Sequence, residues 1–214
     1  MLGVHRKGST VSEPVARLMI ELEDLEPAVW RRVDVPTGMT LAALHDVLQA
    51  VMRWEHAHLY EFRVGDRVYG DPLPGMESPT RRVYKAKGTR LNEVIDRGID
   101  QFLYVYDFGD DWRHRITVEG TRDGDAGVIY PAFVDGARRA PPEDVGGVPG
   151  AMEFLEIVND PRHPEHAQIL DWAGGGFDPE DIERHEIELD LAMLAEFRRR
   201  ALAGHRSRKQ RQPG

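Results

Sequence analysis

Hydrophobic and polar residues alternate through Val15–Glu23 (VARLMIELE) and again through Ala28–Val35 (AVWRRVDV). With the turn-prone Glu26-Pro27 between them, the pattern predicts a β-hairpin. The period then changes. Leu41, Leu44, Leu48, Val51 and Met52 recur at helical spacing behind Thr40, a good N-cap, so the chain opens β-β-α. His58–Val64 alternates, Asp66 interrupts, and Arg67–Tyr69 resumes, predicting a second, shorter hairpin. Asp71–Pro79 reads as loop and Leu91–Ile95 as a single helical turn. The β-rich run Gln101–Phe108 and a strand over Trp112–Glu119 flank a turn at Gly109-Asp110.

From Asp123 to Gly150 glycine and proline are dense and no period holds, which predicts one long loop. Loops of that length are uncommon inside compact domains and tend to be functional or pinned over the core. Helices are expected at Ala151–Val158, Glu165–Trp172 and Ile187–Ala203, with Asp178-Pro179 starting a short helix between the last two. Strands first and helices last is an α+β arrangement: a strand-rich N-terminal part with a largely antiparallel or mixed sheet, and a helical C-terminal third. We expect residues 1–14 to be a flexible segment, 15–203 a single α+β domain, and 204–214 a basic flexible tail.

Composition narrows the chemistry. With 214 residues, 41% of them hydrophobic and 30% charged, the chain can bury a substantial core unaided. It has no Cys, which excludes a disulfide scaffold, a thiolate nucleophile and Cys-ligated metal centres. No apolar run approaches the ~20 residues of a spanning helix, and the start MLGVHRKGSTVSEP has no signal-peptide core, so a cytoplasmic protein with no membrane association is expected. The net charge of −9 is unevenly spread: Arg198–Gly214 holds seven Arg or Lys and no acid, leaving 21 basic against 37 acidic residues up to Phe197. So acidic a body repels phosphate backbones unless a local patch reverses the sign.

Several stretches together carry a resemblance: LEPAVWRRVDVP, LAALHDVLQAVMRWEHAHLYEF, YVYDFGDDWRHRI, PPEDVGG and the FDPE at Phe177. They resemble the plasmid pRi ORF-three-like family, over about Leu18 to Phe197, and the joining of YDFGDDWRH with PPEDVGG is a specific combination. The resemblance implies an α+β fold with strands before helices. It implies little about activity, since the family is uncharacterised and some members are labelled transposon resolvases. Many relatives carry a Cys just before PPED where this chain has Ala140, so no thiol role for that position transfers.

Three constellations can carry chemistry. His56 and His58 would share one face if both lay on a strand, and could hold a metal together. Alternatively, His56 ends the preceding helix and His58 packs at a strand end. YDFGDDWRH supplies Asp107, Asp110, Asp111 and His114 around one turn, a donor set for Mg²⁺, Ca²⁺, Zn²⁺ or Mn²⁺. The alternative there is a plain hairpin turn, with Trp112 and Tyr106 packing and the acids neutralised by Arg31, Arg32, Arg113 or Arg115. In PPEDVGG a stiff Pro pair delivers Glu143 and Asp144 to a Gly-rich bend, where they can face a ligand or cap the helix near Pro149.

Nucleotide-cradling and nucleophile-elbow motifs are missing, as are the nucleophilic Ser beside an Arg-rich site and the helix-turn-helix that a resolvase needs. Three functional expectations follow. The first is a noncatalytic binding or adaptor module whose acidic surface takes a protein or peptide partner, with Asp110, Trp112, Glu143 and Asp144 on the recognition surface. The second is a metal-dependent hydrolase or phosphoryl-handling enzyme, with a divalent cation at His56, His58, Asp107, Asp111 and His114, and Glu143 nearby. The third is weak, nonspecific nucleic-acid contact through the basic tail.

Overall fold

The computed structural model describes residues 13–71 and 82–210; residues 1–12, most of the expected loop at Asp71–Pro79, and 211–214 lie outside the described residues. The strands are β1 (Pro14–Leu22), β2 (Val29–Pro36), β3 (Tyr60–Val64), β4 (Arg67–Gly70), β5 (Val83–Lys85), β6 (Gln101–Tyr106), β7 (Trp112–Asp123) and β8 (Ala132–Ala137). The helices are α1 (Leu41–Met52), α2 (Leu91–Ile95), α3 (Gly147–Asn159), α4 (His166–Trp172) and α5 (Arg184–Gln210). Among the described residues the strands form one mixed sheet in the order β5-β4-β3-β6-β7-β1-β2-β8, in which β4 and β5 run parallel and the other neighbours antiparallel. The fold is α+β, as the sequence pattern indicates.

Alternation divides the sheet into two faces. Leu18, Ile20 and Leu22 of β1, Val29 and Val33 of β2, and Phe102, Tyr104 and Tyr106 of β6 belong to the buried core that α1 closes with Leu41, Leu44, Leu48 and Val51. The other face is laced with cross-strand ion pairs: Arg17 and Arg122 on Asp34, Arg32 on Glu119, and Arg115 on Glu21 and Glu23. Thr40 caps α1, its hydroxyl accepting from the Ala43 N–H at 3.1 Å. At the other end Arg53 turns left-handed and clamps the start of α5, pairing with Glu183 just before it at 3.3 Å and with Asp190 inside it at 2.5 Å.

Arg31 points into the core with no exposed surface. Its guanidinium donates to the carbonyls of Val51 at the end of α1, Trp30 in β2, Ala137 at the end of β8, and Arg138 just beyond. Burial holds its pKa down at about 10, and the carbonyl dipoles of a helix C-terminus are what a cation here faces. It is therefore a staple across β2, α1 and β8, and does not neutralise the acids of the YDFGDDWRH turn.

Several elements differ from the sequence reading, among them β5, a short strand that the pattern did not predict. The expected loop Asp123–Gly150 contains β8 and the first turn of α3. Its Gly136 reads as a loop residue but marks a close approach, since a Cβ there would lie 2.9 Å from the Trp30 carbonyl of the paired strand. Asp178 starts no helix; its carboxylate closes a local turn on the Glu180 N–H at 2.9 Å, and α5 begins at Arg184. That helix then runs past Ala203 to Gln210.

Candidate functional site

The turn after β6 and the loop before α3 come together. Asp107, at φ 54°, accepts the Gly109 N–H on its carboxylate at 2.8 Å and sends the chain round to β7. Asp110 reaches across to the Gly146 N–H at 3.1 Å. Gly147, at φ +66°, then packs so closely that a Cβ would stand 2.5 Å from the Asp110 carbonyl oxygen. Gly147 thus lets the loop lie directly on the backbone of the turn, and Gly146 before it supplies a left-handed bend at φ +94°. Trp54 anchors the loop's other end, its indole N–H donating to the Pro141 carbonyl at 2.9 Å.

Seating the loop in this way brings His58, Asp107 and Asp144 into one cluster. His58 Nδ1 is 3.6 Å from Asp107 Oδ2 and Nε2 is 3.1 Å from Asp144 Oδ1, with one donor atom from each residue within 4.8 Å of the others. Nε2 is screened from solvent, yet the Asp144 oxygen lies out of line for a hydrogen bond. Behind the cluster, Tyr106 donates its hydroxyl proton to Glu143 and accepts the His58 N–H at 3.2 Å. Burial and the Glu143 carboxylate both raise the Tyr106 pKa, keeping the phenol protonated. Glu143 also accepts the Glu55 N–H at 2.8 Å, so it braces the loop and caps no helix. Of the eight non-glycine residues with left-handed φ among the described residues, His56, Asp107, Asp111 and Asp144 lie in these segments, a concentration of conformational cost around the cluster.

The remaining expected residues go elsewhere. His56, at φ 60°, precedes the first residue of β3, so strand alternation does not govern it and it does not face His58's partners. It meets His45 and Asp46 instead, with Nδ1 3.3 Å from His45 Nε2. Asp111 turns outward to Arg113 at 2.6 Å. His114 points into the core with no exposed surface, flanked by Trp54 and Tyr104 at 5.2 Å each, so it cannot serve as a ligand beside the turn. Trp112, also fully buried, packs on Trp54 at 5.7 Å and is not part of a recognition surface. Leu59 and Phe108, the chain neighbours of His58 and Asp107, are exposed apolar residues, at 41% and 48%.

The second polar group went unseen in the sequence. His45 stacks on Tyr60 at 3.7 Å and bonds the Tyr104 hydroxyl at 2.7 Å, and Gln49 donates to the same hydroxyl at 3.1 Å. Burial, with a smaller contribution from His56, pushes the His45 pKa down to about 3. Polar His45 and Gln49 on the apolar stripe of α1, four residues apart, are the sequence signal for it.

The family model for plasmid pRiA4b ORF-3-like proteins matches residues 14–186, and so spans both docked segments and the sheet beneath them. The chain belongs to this family. Similar to it is the uncharacterized protein y4hQ of Sinorhizobium fredii (strain NBRC 101917 / NGR234), 43% identical over 160 residues, which make up 75% of this chain and 81% of that one. Among solved structures, a protein of unknown function from Methanosarcina mazei Go1, MM3350, shares the fold with a TM-score of 0.71 at 35% identity, covering 79% of this chain and 95% of that one. No helix among the described residues is long and apolar enough to cross a membrane. Of the basic residues that begin the tail, Arg198 is engaged by Glu13, and Arg199 and Arg200 by Glu196.

Proposed function

We propose that this pRiA4b ORF-3-like protein is a noncatalytic recognition module in which a divalent cation at His58, Asp107 and Asp144 helps to capture a protein or peptide partner. The observation that carries this reading is the convergence of the three side chains, from three separate segments, with His58 Nε2 facing a carboxylate it does not hydrogen-bond. One imidazole and two carboxylates suit Zn²⁺ or Mn²⁺, and three protein donors leave positions open for an oxygen or nitrogen of the partner. Leu59 and Phe108 stand beside the cluster and supply apolar contact, the usual company of such a polar anchor. The hydrolase reading is weakened because His114, one of its expected ligands, is enclosed in the core.

Isothermal titration of the dialysed full chain with Zn²⁺, Mn²⁺ and Mg²⁺, paired with elemental analysis, tests the cation site. One equivalent of a transition metal should bind in the micromolar range, with His58→Ala and Asp144→Ala each weakening it at least about tenfold. A chain that takes up no metal, or whose uptake is indifferent to both substitutions, would rule the reading out. Selection from a peptide library with the loaded protein, repeated with Phe108→Ser, then tests the recognition surface.

A further inference from the structure

One side of α5 is spent on the core: Ile187, Leu191 and Ala195 are buried in the contact with α1 and β8. On the opposite side Leu189, Met193 and Phe197 are 47%, 55% and 66% exposed. At 3.6 residues per turn these three fall on a single stripe, and Glu186 and Arg200 continue the same line before and after it. Exposed aliphatic and aromatic side chains in register along a helix are the signature of a face that meets another surface.

The order along the stripe says which surface. Taken outward from Met193, it meets Leu189 and Phe197 four residues away on either side, then Glu186 and Arg200 seven residues away. The sequence is thus self-complementary when reversed, with an acid at one end and a base at the other, ~21 Å apart along the axis. Two copies crossing antiparallel at Met193 would place each Leu189 against the other's Phe197 and each Glu186 against the other's Arg200. A parallel crossing would set acid on acid and base on base. Isologous pairing of this kind is what a two-fold axis requires. Among the described residues Arg200 is held by Glu196, at 2.7 Å, and its side chain, 70% exposed, has surface left to meet a second acid.

We propose that the protein forms an antiparallel homodimer through the Glu186, Leu189, Met193, Phe197 and Arg200 face of α5. The seam holds three apolar side chains per protomer, at the small end of specific interfaces, so association in the micromolar range is expected.

Sedimentation equilibrium of the full chain should show a concentration-dependent monomer–dimer exchange. Met193→Arg sets two like charges on the axis and should leave a monomer, with an unchanged circular dichroism spectrum because the site is on the surface. Glu186→Arg and Arg200→Glu should each weaken the dimer. Mixed together, these two variants should form a heterodimer more strongly than either pairs with itself, since both contacts are then between opposite charges. The chain has no Cys, so Met193→Cys gives a single thiol that should oxidise to a covalent dimer, while Glu188→Cys on another side of α5 should not. A chain monomeric throughout the accessible concentrations, a dimer indifferent to Met193→Arg, or no preference for the mixed charge variants would overturn the proposal.

Discussion

His114 offers a quantitative test of how the core is built. Its ring lies between Trp54 and Tyr104, and both nitrogens are near backbone without meeting hydrogen-bond geometry. Burial, the dominant influence, pushes its pKa from 6.5 down to about 3. The folded state therefore keeps the ring neutral while the unfolded state takes up a proton below pH 6.5. The stability at stake is fully present above pH 6.5 and is lost as pH falls toward 3, at ~1.36 kcal/mol per pH unit and reaching about 5 kcal/mol at the limit. By pH 5 the loss is ~2 kcal/mol, and His45, whose pKa is also lowered to about 3, adds a similar amount. Together these are comparable to the whole stability of a marginal domain.

Urea denaturation of the wild type and His114→Phe at intervals from pH 8 to pH 4.5 measures this. The carboxylates titrate alike in both proteins, so the difference between the two stability curves isolates one imidazole. It should be flat above pH 7 and should then favour the variant increasingly as pH falls, approaching ~1.4 kcal/mol per pH unit. Parallel curves across the range would refute the assignment of an enclosed neutral histidine.

Arg31→Met keeps an unbranched apolar stem but removes every donor to Val51, Trp30, Ala137 and Arg138, and should cost ~3–5 kcal/mol in denaturant unfolding; a loss below ~1 kcal/mol would deny the staple. Gly147→Ala drives a methyl group against the Asp110 carbonyl in a left-handed position, so it should lower stability by ~2 kcal/mol or more and unseat the 141–147 loop, read as increased hydrogen exchange at the Gly146 amide. Thr40→Ala removes the cap of α1 and should cost ~1 kcal/mol in the same unfolding assay.

Periodicity was enough to find most of the fold because most elements bury one face. The β1–β2 hairpin, α1 with its Thr40 cap and the β3–β4 hairpin follow from the spacing of apolar residues, β6 from its β-rich composition, and α2 and β7 were also read at their places. β8 did not, because its AFVDGA carries no alternation and its existence depends on pairing with β2, a contact between residues about a hundred positions apart. The site shows the same division. His58, Asp107 and Asp144 belong to motifs visible in the sequence, and the structure brings them together. Which motif residues would turn inward was not visible: β7 runs in the core at Trp112 and His114, and no local pattern separates a buried imidazole from a ligand. His45 was missed for the converse reason, being polar on a stripe otherwise read as hydrophobic.

The position of Asp144 is fixed by its main chain. Its φ of 59° and the stacking of Gly147 on the Asp110 backbone fix where residue 144 emerges, and its side chain, 70% exposed, contributes little to that placement. The loop is in effect a socket with an interchangeable fitting. Asn tolerates the same backbone region, so Asp144→Asn should offer a neutral amide at the same point in space beside His58. Relatives with this loop could differ in what they grip while sharing one architecture, a change of a single codon with no rebuilding of the frame.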